Sequence, residues 1–195
     1  MPKKFTNNGP YTEIMTLQQA LDHCAADTDI HSSIIEEYLK ASIIVAEEKL
    51  QRSIVTHSIT LTKKSLQQTM HLLMPPVKAV ASVKYYDTDG VQQTIDPSNY
   101  ITELVGDNPS IRIKDSYSIP SVSCDYQFPV EIIYTTGPET EGTPENRNED
   151  LKGFVKIILG TLWTKRDALA ESASIDDMVK FAMKFVPKRR LFRFG

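Results

Sequence analysis

The chain has 195 residues, of which 41% are hydrophobic and 24% charged, so it can bury a sizeable core and is not disordered throughout. A net charge of -3 gives no global reason to bind nucleic acid or an anionic membrane, and no apolar stretch approaches the roughly 20 residues of a membrane helix. Cys24 and Cys124 stand a hundred positions apart in no metal or redox spacing, which favours two structural thiols in a reducing compartment over a disulfide.

Residues 1–15 carry Pro2, Asn7, Asn8, Gly9 and Pro10, which discourage helix and mark an arm. Lys3 and Lys4 have no apolar segment behind them, so a secretory signal is not expected and the chain is expected to stay in the cytoplasm where it is made. Regular structure is expected from Thr16, where "TLQQ" reads as a capping box opening a helix over 16–26. "DTD" at 27–29 breaks it and offers Asp29 as the next N-cap. The second helix, over 30–52, has Ile34, Ile35, Tyr38, Leu39, Val45, Ala46 and Leu50 at three- and four-residue spacing. Ile43 and Ile44 widen its apolar face, which suits a helix touching both its own core and a neighbour.

From Ser53 the period changes to two, with Val55, His57, Ile59 and Leu61 alternating against serine and threonine. Pro75–Pro76 forces an extended corner, Val80 opens a strand, and "DTDG" at 87–90 turns it back with Gly90 at positive φ. "VQQTI", "YITEL", "SIRIKD" and "VEIIYTT" read as further short strands, so 53–136 is an antiparallel β-region. A Gly/Pro-rich acidic loop at 137–150 precedes a helix over 148–168 with Leu151, Phe154, Val155, Ile158, Leu162 and Trp163 on its apolar face. A last helix is expected over 175–186, ended by Pro187. The fold class is therefore α+β: a mainly α-helical body of about four helices with an inserted β-region of short strands and hairpins.

Catalytic, cofactor and metal sites find no support. His23, His31, His57 and His71 show no metal-ligand spacing, and "DTDG" lacks the later acidic ligand of a calcium loop. No phosphate-cradling glycine loop or nucleophile elbow occurs, and the carboxylate pairs Glu36–Glu37, Glu47–Glu48 and Asp176–Asp177 sit on expected helix surfaces. Tyr85 and Tyr86 read as packing residues of a strand. Five of the last twelve residues are basic, and the tail 187–195 mixes Lys188, Arg189, Arg190 and Arg193 with Leu191, Phe192 and Phe194. Arginine and aromatic residues are the types enriched at binding hot spots, so this tail is the segment whose charge predicts a partner.

The order of these elements resembles the head–tail connector (adaptor, or head-completion) proteins of long-tailed double-stranded-DNA bacteriophages. The likeness runs over 16–168, through "TLQQALDHC", "IIEEYLKASIIVAEEKL", "LLMPPVKAVASVKYYDTDG", "IDPSNYI", "VEIIYTTG" and "EDLKGFVKIILGTLWTKRDA". The cassette of Pro75, Pro76, Val77, Val80, Val83, Tyr85, Tyr86, Asp87 and Gly90, with Asp96, Pro97 and Tyr100, carries it most specifically. The resemblance implies a non-enzymatic virion protein without cofactors, assembled in the host cytoplasm as a homo-oligomeric ring of twelve copies under the portal. Such a ring extends the DNA channel, lets double-stranded DNA pass without sequence-specific contact, and receives a downstream neck, stopper or tail-completion protein, with no membrane partner. The parts expected here are an arm (1–15), a connector domain (16–186) and a tail (187–195), with the tail docking on the portal and the turn Asp87, Thr88, Asp89 and Gly90 serving as a contact or lumen loop. The alternative is a DNA-handling packaging factor whose basic tail contacts phosphate.

Overall fold

A computed structural model describes residues 3–138 and 147–164 of the chain, which form two compact units. One unit is helical and comprises Gly9–Val55 with the helix Arg147–Thr164. The other is β-rich and comprises Thr56–Gly137 together with an N-terminal strand.

In the helical unit, α1 (Leu17–Cys24) begins as the sequence predicts. Thr16 Oγ1 accepts from the Gln19 amide at 3.2 Å while Gln19 Oε1 accepts from the Thr16 amide at 3.3 Å, closing the capping box. Ala25 then takes a left-handed conformation, φ 49°, and stops the helix. The next helix, α2 (Thr28–Leu50), is capped by Asp27 rather than the expected Asp29. The Asp27 carboxylate accepts from the amides of Asp29 and Ile30 at 2.8 and 3.3 Å, and Asp29 falls inside the first turn, where its charge complements the helix dipole. The third helix, α3 (Arg147–Thr164), places Glu149 and Asp150 at its positive end. Ile35, Leu39, Ile43 and Ala46 of α2 meet Leu21 and Cys24 of α1 and Phe154, Val155, Ile158 and Leu159 of α3 in one core.

Val55, expected in the first strand, is buried in this helical core, and the strand starts two residues later. The change of period at Ser53 therefore marks a junction rather than the strand itself. Glu47, only 5% exposed, holds that junction: its carboxylate accepts from the backbone amides of Ile54 at 2.7 Å and Val55 at 3.2 Å.

The β-unit has two antiparallel sheets. The first runs β1 (Lys3–Asn8), β2 (His57–Lys63), β8 (Val130–Thr136), β4 (Val77–Tyr86), β5 (Gln92–Ile95) in spatial order. The second runs β3 (Thr69–His71), β7 (Ser110–Ile113), β6 (Tyr100–Glu103). Strict alternation puts Ile59 and Leu61 of β2 and Val130, Ile132 and Tyr134 of β8 on one buried face. They share a core with Met70, Ile95, Tyr100, Ile111 and Ile113 from the other strands. The same alternation draws Lys63 inward at the end of β2, and burial pushes its ammonium below the usual lysine range.

Two expectations are corrected. Regular structure starts not at Thr16 but at β1, which pairs antiparallel with β2 from Lys3 opposite Leu61 to Asn8 opposite His57. The composition of 1–15 disfavours helix, but it does not disfavour an edge strand, whose outer groups need no ladder partner. Helices also do not dominate: three are present among the described residues, beside eight strands, and the expected helix 175–186 lies outside those residues.

Candidate functional site

Among the described residues, no three histidine, cysteine, aspartate or glutamate side chains gather where they could hold a metal ion. The four histidines stand apart in structural roles or at the surface. His23 is within 2.9 Å of the Lys156 carbonyl oxygen, His31 accepts from the Asp27 amide at 3.1 Å and stands edge-on to Trp163, His57 is buried at the start of β2, and His71 is exposed on β3. Both cysteines are free thiols; Cys24 is buried in the helical core, which pushes it up, and Cys124 is exposed. No helix among the described residues is long and apolar enough to cross a membrane.

The surface built with most local order is the turn between β4 and β5, where Asp87, Thr88, Asp89 and Gly90 lie together. One carboxylate organises it. Asp87 Oδ1 accepts from the amides of Asp89 at 3.1 Å and Val91 at 2.9 Å, and Oδ2 accepts from Gln93 Nε2 at 2.8 Å. The Gln93 bond, and after it the Val91 amide, holds the Asp87 carboxyl below its ordinary range. Gly90 closes the turn at φ 76°, and its amide donates to the Asp87 carbonyl at 3.0 Å. A carboxylate engaged this way shapes its own loop, and the hairpin expected at "DTDG" forms.

Beside the turn lies an element the sequence reading did not anticipate. The coil between β7 and β8 runs along the end of β4: the Ser123 amide donates to the Tyr86 carbonyl at 2.9 Å, and the Tyr86 amide to the Pro129 carbonyl at 2.9 Å. The Tyr126 ring stacks on Tyr86 with centroids 4.2 Å apart and planes 16° from parallel. Tyr126 and Val91 are both exposed, so the tip carries an aromatic and an aliphatic side chain beside its aspartates. Tyr85, on the opposite face of β4, packs against the core, where burial and then the neighbouring Tyr117 and Asp87 push its phenol up. The sequence offers no local signal of this surface: Tyr86 and Tyr126 stand forty positions apart, and Tyr117 lies on the Tyr85 side.

The expected docking tail, Lys188, Arg189, Arg190, Leu191, Phe192, Arg193 and Phe194, lies outside the described residues.

Neither protein-family models nor curated proteins yield a match to this chain. Solved structures do. The chain is similar to one in the neck of an empty gene transfer agent particle computed with C6 symmetry, at 18% identity and a TM-score of 0.68, over 93% of this chain and 95% of that one. It is similar at 16% identity and a TM-score of 0.67 to a chain in the virion of a native gene transfer agent particle, over 93% of this chain and 94% of that one. A third match, in the neck of the native particle computed with C12 symmetry, has 16% identity and a TM-score of 0.63 over 93% and 94% of the two chains. The chain shares their fold. The likeness covers 93% of this chain, so it takes in both the helical unit and the β-rich unit.

Proposed function

We propose that this chain is a non-enzymatic structural protein of a phage-like virion neck: a head–tail connector that forms a ring beneath the portal, extends the DNA channel and joins the capsid to the neck or tail. The observation that carries this reading is the likeness over 93% of the chain to neck components of a gene transfer agent particle. Those necks were computed with C6 and C12 symmetry, which supports a homo-oligomeric ring and is compatible with twelve copies. In this reading residues 187–195 dock on the portal, the turn at 87–90 contacts a neighbour or faces the lumen, and a neck or tail-completion protein binds the far side. DNA passes without sequence-specific contact, and assembly takes place in the host cytoplasm.

The chemistry of the described residues agrees. The Asp87 carboxylate shapes its own turn, and the buried Glu47 carboxylate holds the Ile54 and Val55 amides. The alternative, a packaging factor gripping DNA phosphate through its tail, draws no support from the neck-like fold. The test is assembly without the chain. Particles made in its absence should accumulate as heads without attached tails, whereas tailed, infectious particles would refute the connector role.

A further inference from the structure

We infer that successive copies in the ring pair through two helix faces of the helical unit, the outer stripe of α2 on one copy against the lysine-bearing face of α3 on the next. This rests on the ring reading above. The α2 helix buries Ile35, Leu39, Ile43 and Ala46, yet its far side is not polar throughout. Ile30, Glu37 and Ile44 recur every seven residues, and Glu48 follows one turn later, so all four share a stripe. Ile30 is 73% and Ile44 57% exposed, the two most exposed large hydrophobic residues among the described residues of the helical unit. Two isoleucines at heptad spacing on an outer helix face are the pattern of an unfilled packing seam.

A closed ring needs two different faces on each copy, because head-to-tail contacts pair unlike patches. The second face is on α3, turned from the core residues Leu151, Phe154, Val155, Ile158 and Leu159. It presents Lys152 and Lys156, both partly exposed, beside Gly153, while Ile157 packs against the subunit's own core. Among the described residues a β-carbon added at Gly153 would meet nothing within 4 Å, so none of them requires glycine there. A mid-helix glycine costs about 1 kcal/mol relative to alanine, and here it leaves room for an apolar knob from outside.

The charges complement. Glu37 and Glu48 on the α2 stripe, and Lys152 and Lys156 on α3, make no ion pair among the described residues; Lys40, at the edge of the stripe near Glu37, is held by Glu36 at 2.6 Å. The acids of α3, Glu149 and Asp150, sit in its first turn, within one turn of Lys152 and about two turns from Lys156. Isoleucine knobs with unpaired acids on one face, and a glycine-floored surface with unpaired bases on the other, fit a second copy of this chain. A patch pairing with itself would instead set Glu37 and Glu48 against their own kind.

The test is charge exchange on the full chain. The variants E37K/E48K and K152E/K156E alter exposed or half-exposed side chains, and thermal melting verifies that each still folds. Each alone should lose ring formation by at least about tenfold in native mass spectra, with or without portal, because every interface then carries like charges. An equal mixture of the two should recover rings, since each α2 then meets an α3 of opposite sign, and so should the quadruple variant. If the wild-type chain forms rings but both variants do so equally well, or the folded variants lose rings and the mixture does not recover them, the α2–α3 pairing is wrong and the ring reading stands. If the wild-type chain forms no ring beside the portal, the pairing falls together with that reading. Discrete two-copy species that dissociate in E37K/E48K alone would likewise overturn it in favour of a self-pairing face.

Discussion

Tyr134 ties two parts of the β-unit together. Its ring is fully buried in β8, while its hydroxyl donates to the Leu73 carbonyl at 3.1 Å and accepts from the Leu73 amide at 3.2 Å. That pair of bonds ties the chain entering the proline corner to the central strand. Tyr134→Phe keeps the ring and strands both backbone groups, so equilibrium denaturation should register a loss of about 1–3 kcal/mol. Burial pushes the phenol up to about 12 from an ordinary 10. The folded protein therefore keeps a proton that the unfolded chain releases. The stabilisation is complete below pH 10 and is lost as the pH rises to about 12, roughly 3 kcal/mol in all at 1.4 kcal/mol per unit. A denaturation series across that window should fall more steeply for the wild type than for Tyr134→Phe; equal slopes would contradict the assignment.

Two carboxylates act on whole elements, and they are expected to behave differently. Glu47 is buried at the end of α2 and fixes the amides of Ile54 and Val55, both core residues of the helical unit. Glu47→Ala should cost about 2–4 kcal/mol in thermal or chemical unfolding, because two buried amides lose a charged acceptor. Asp87 is exposed and shapes only the β4–β5 turn. Asp87→Ala should leave the melting temperature nearly unchanged while accelerating hydrogen exchange at Asp89 and Val91, and an unchanged exchange rate would count against its organising role. Its depressed carboxyl gives the turn a support that is present above the ordinary value of 3.8 and disappears as acid protonates it.

At this scale the sequence was legible wherever period and punctuation agreed. The Thr16 capping box, the apolar stripe of α2, the alternation in β8 and the Asp-Gly turn all form as their local chemistry dictates. Legibility failed where the deciding partner is remote. Nothing near Lys3 announces that β2 lies ready to pair with it, and Val55 alternates like a strand residue until Glu47, eight positions earlier, claims its amide. The Tyr86–Tyr126 stack joins residues forty positions apart, so no local pattern could reveal it.

At the scale of the whole molecule, structure and composition point the same way: well-capped helices, two sheets around one core, and exposed apolar groups left at particular places on helix faces and a hairpin tip. Those are the features of a part that acts by contact. The tail, whose arginines and phenylalanines drew attention in the sequence, supplies a separate prediction. Removing residues 187–195 should abolish portal binding in a pull-down while leaving the melting temperature within about 2 °C of the full chain, since ends tolerate loss where the core does not depend on them. Persisting portal binding would move the docking site elsewhere.

The central claim is that copies of this chain join into a conduit under the portal. Electron microscopy of the purified full-length chain mixed with portal protein tests it most directly. A closed ring of this chain, coaxial with the portal and open along its axis, is the expected result. Single copies scattered on the portal, or a chain that stays monomeric in its presence, would contradict it.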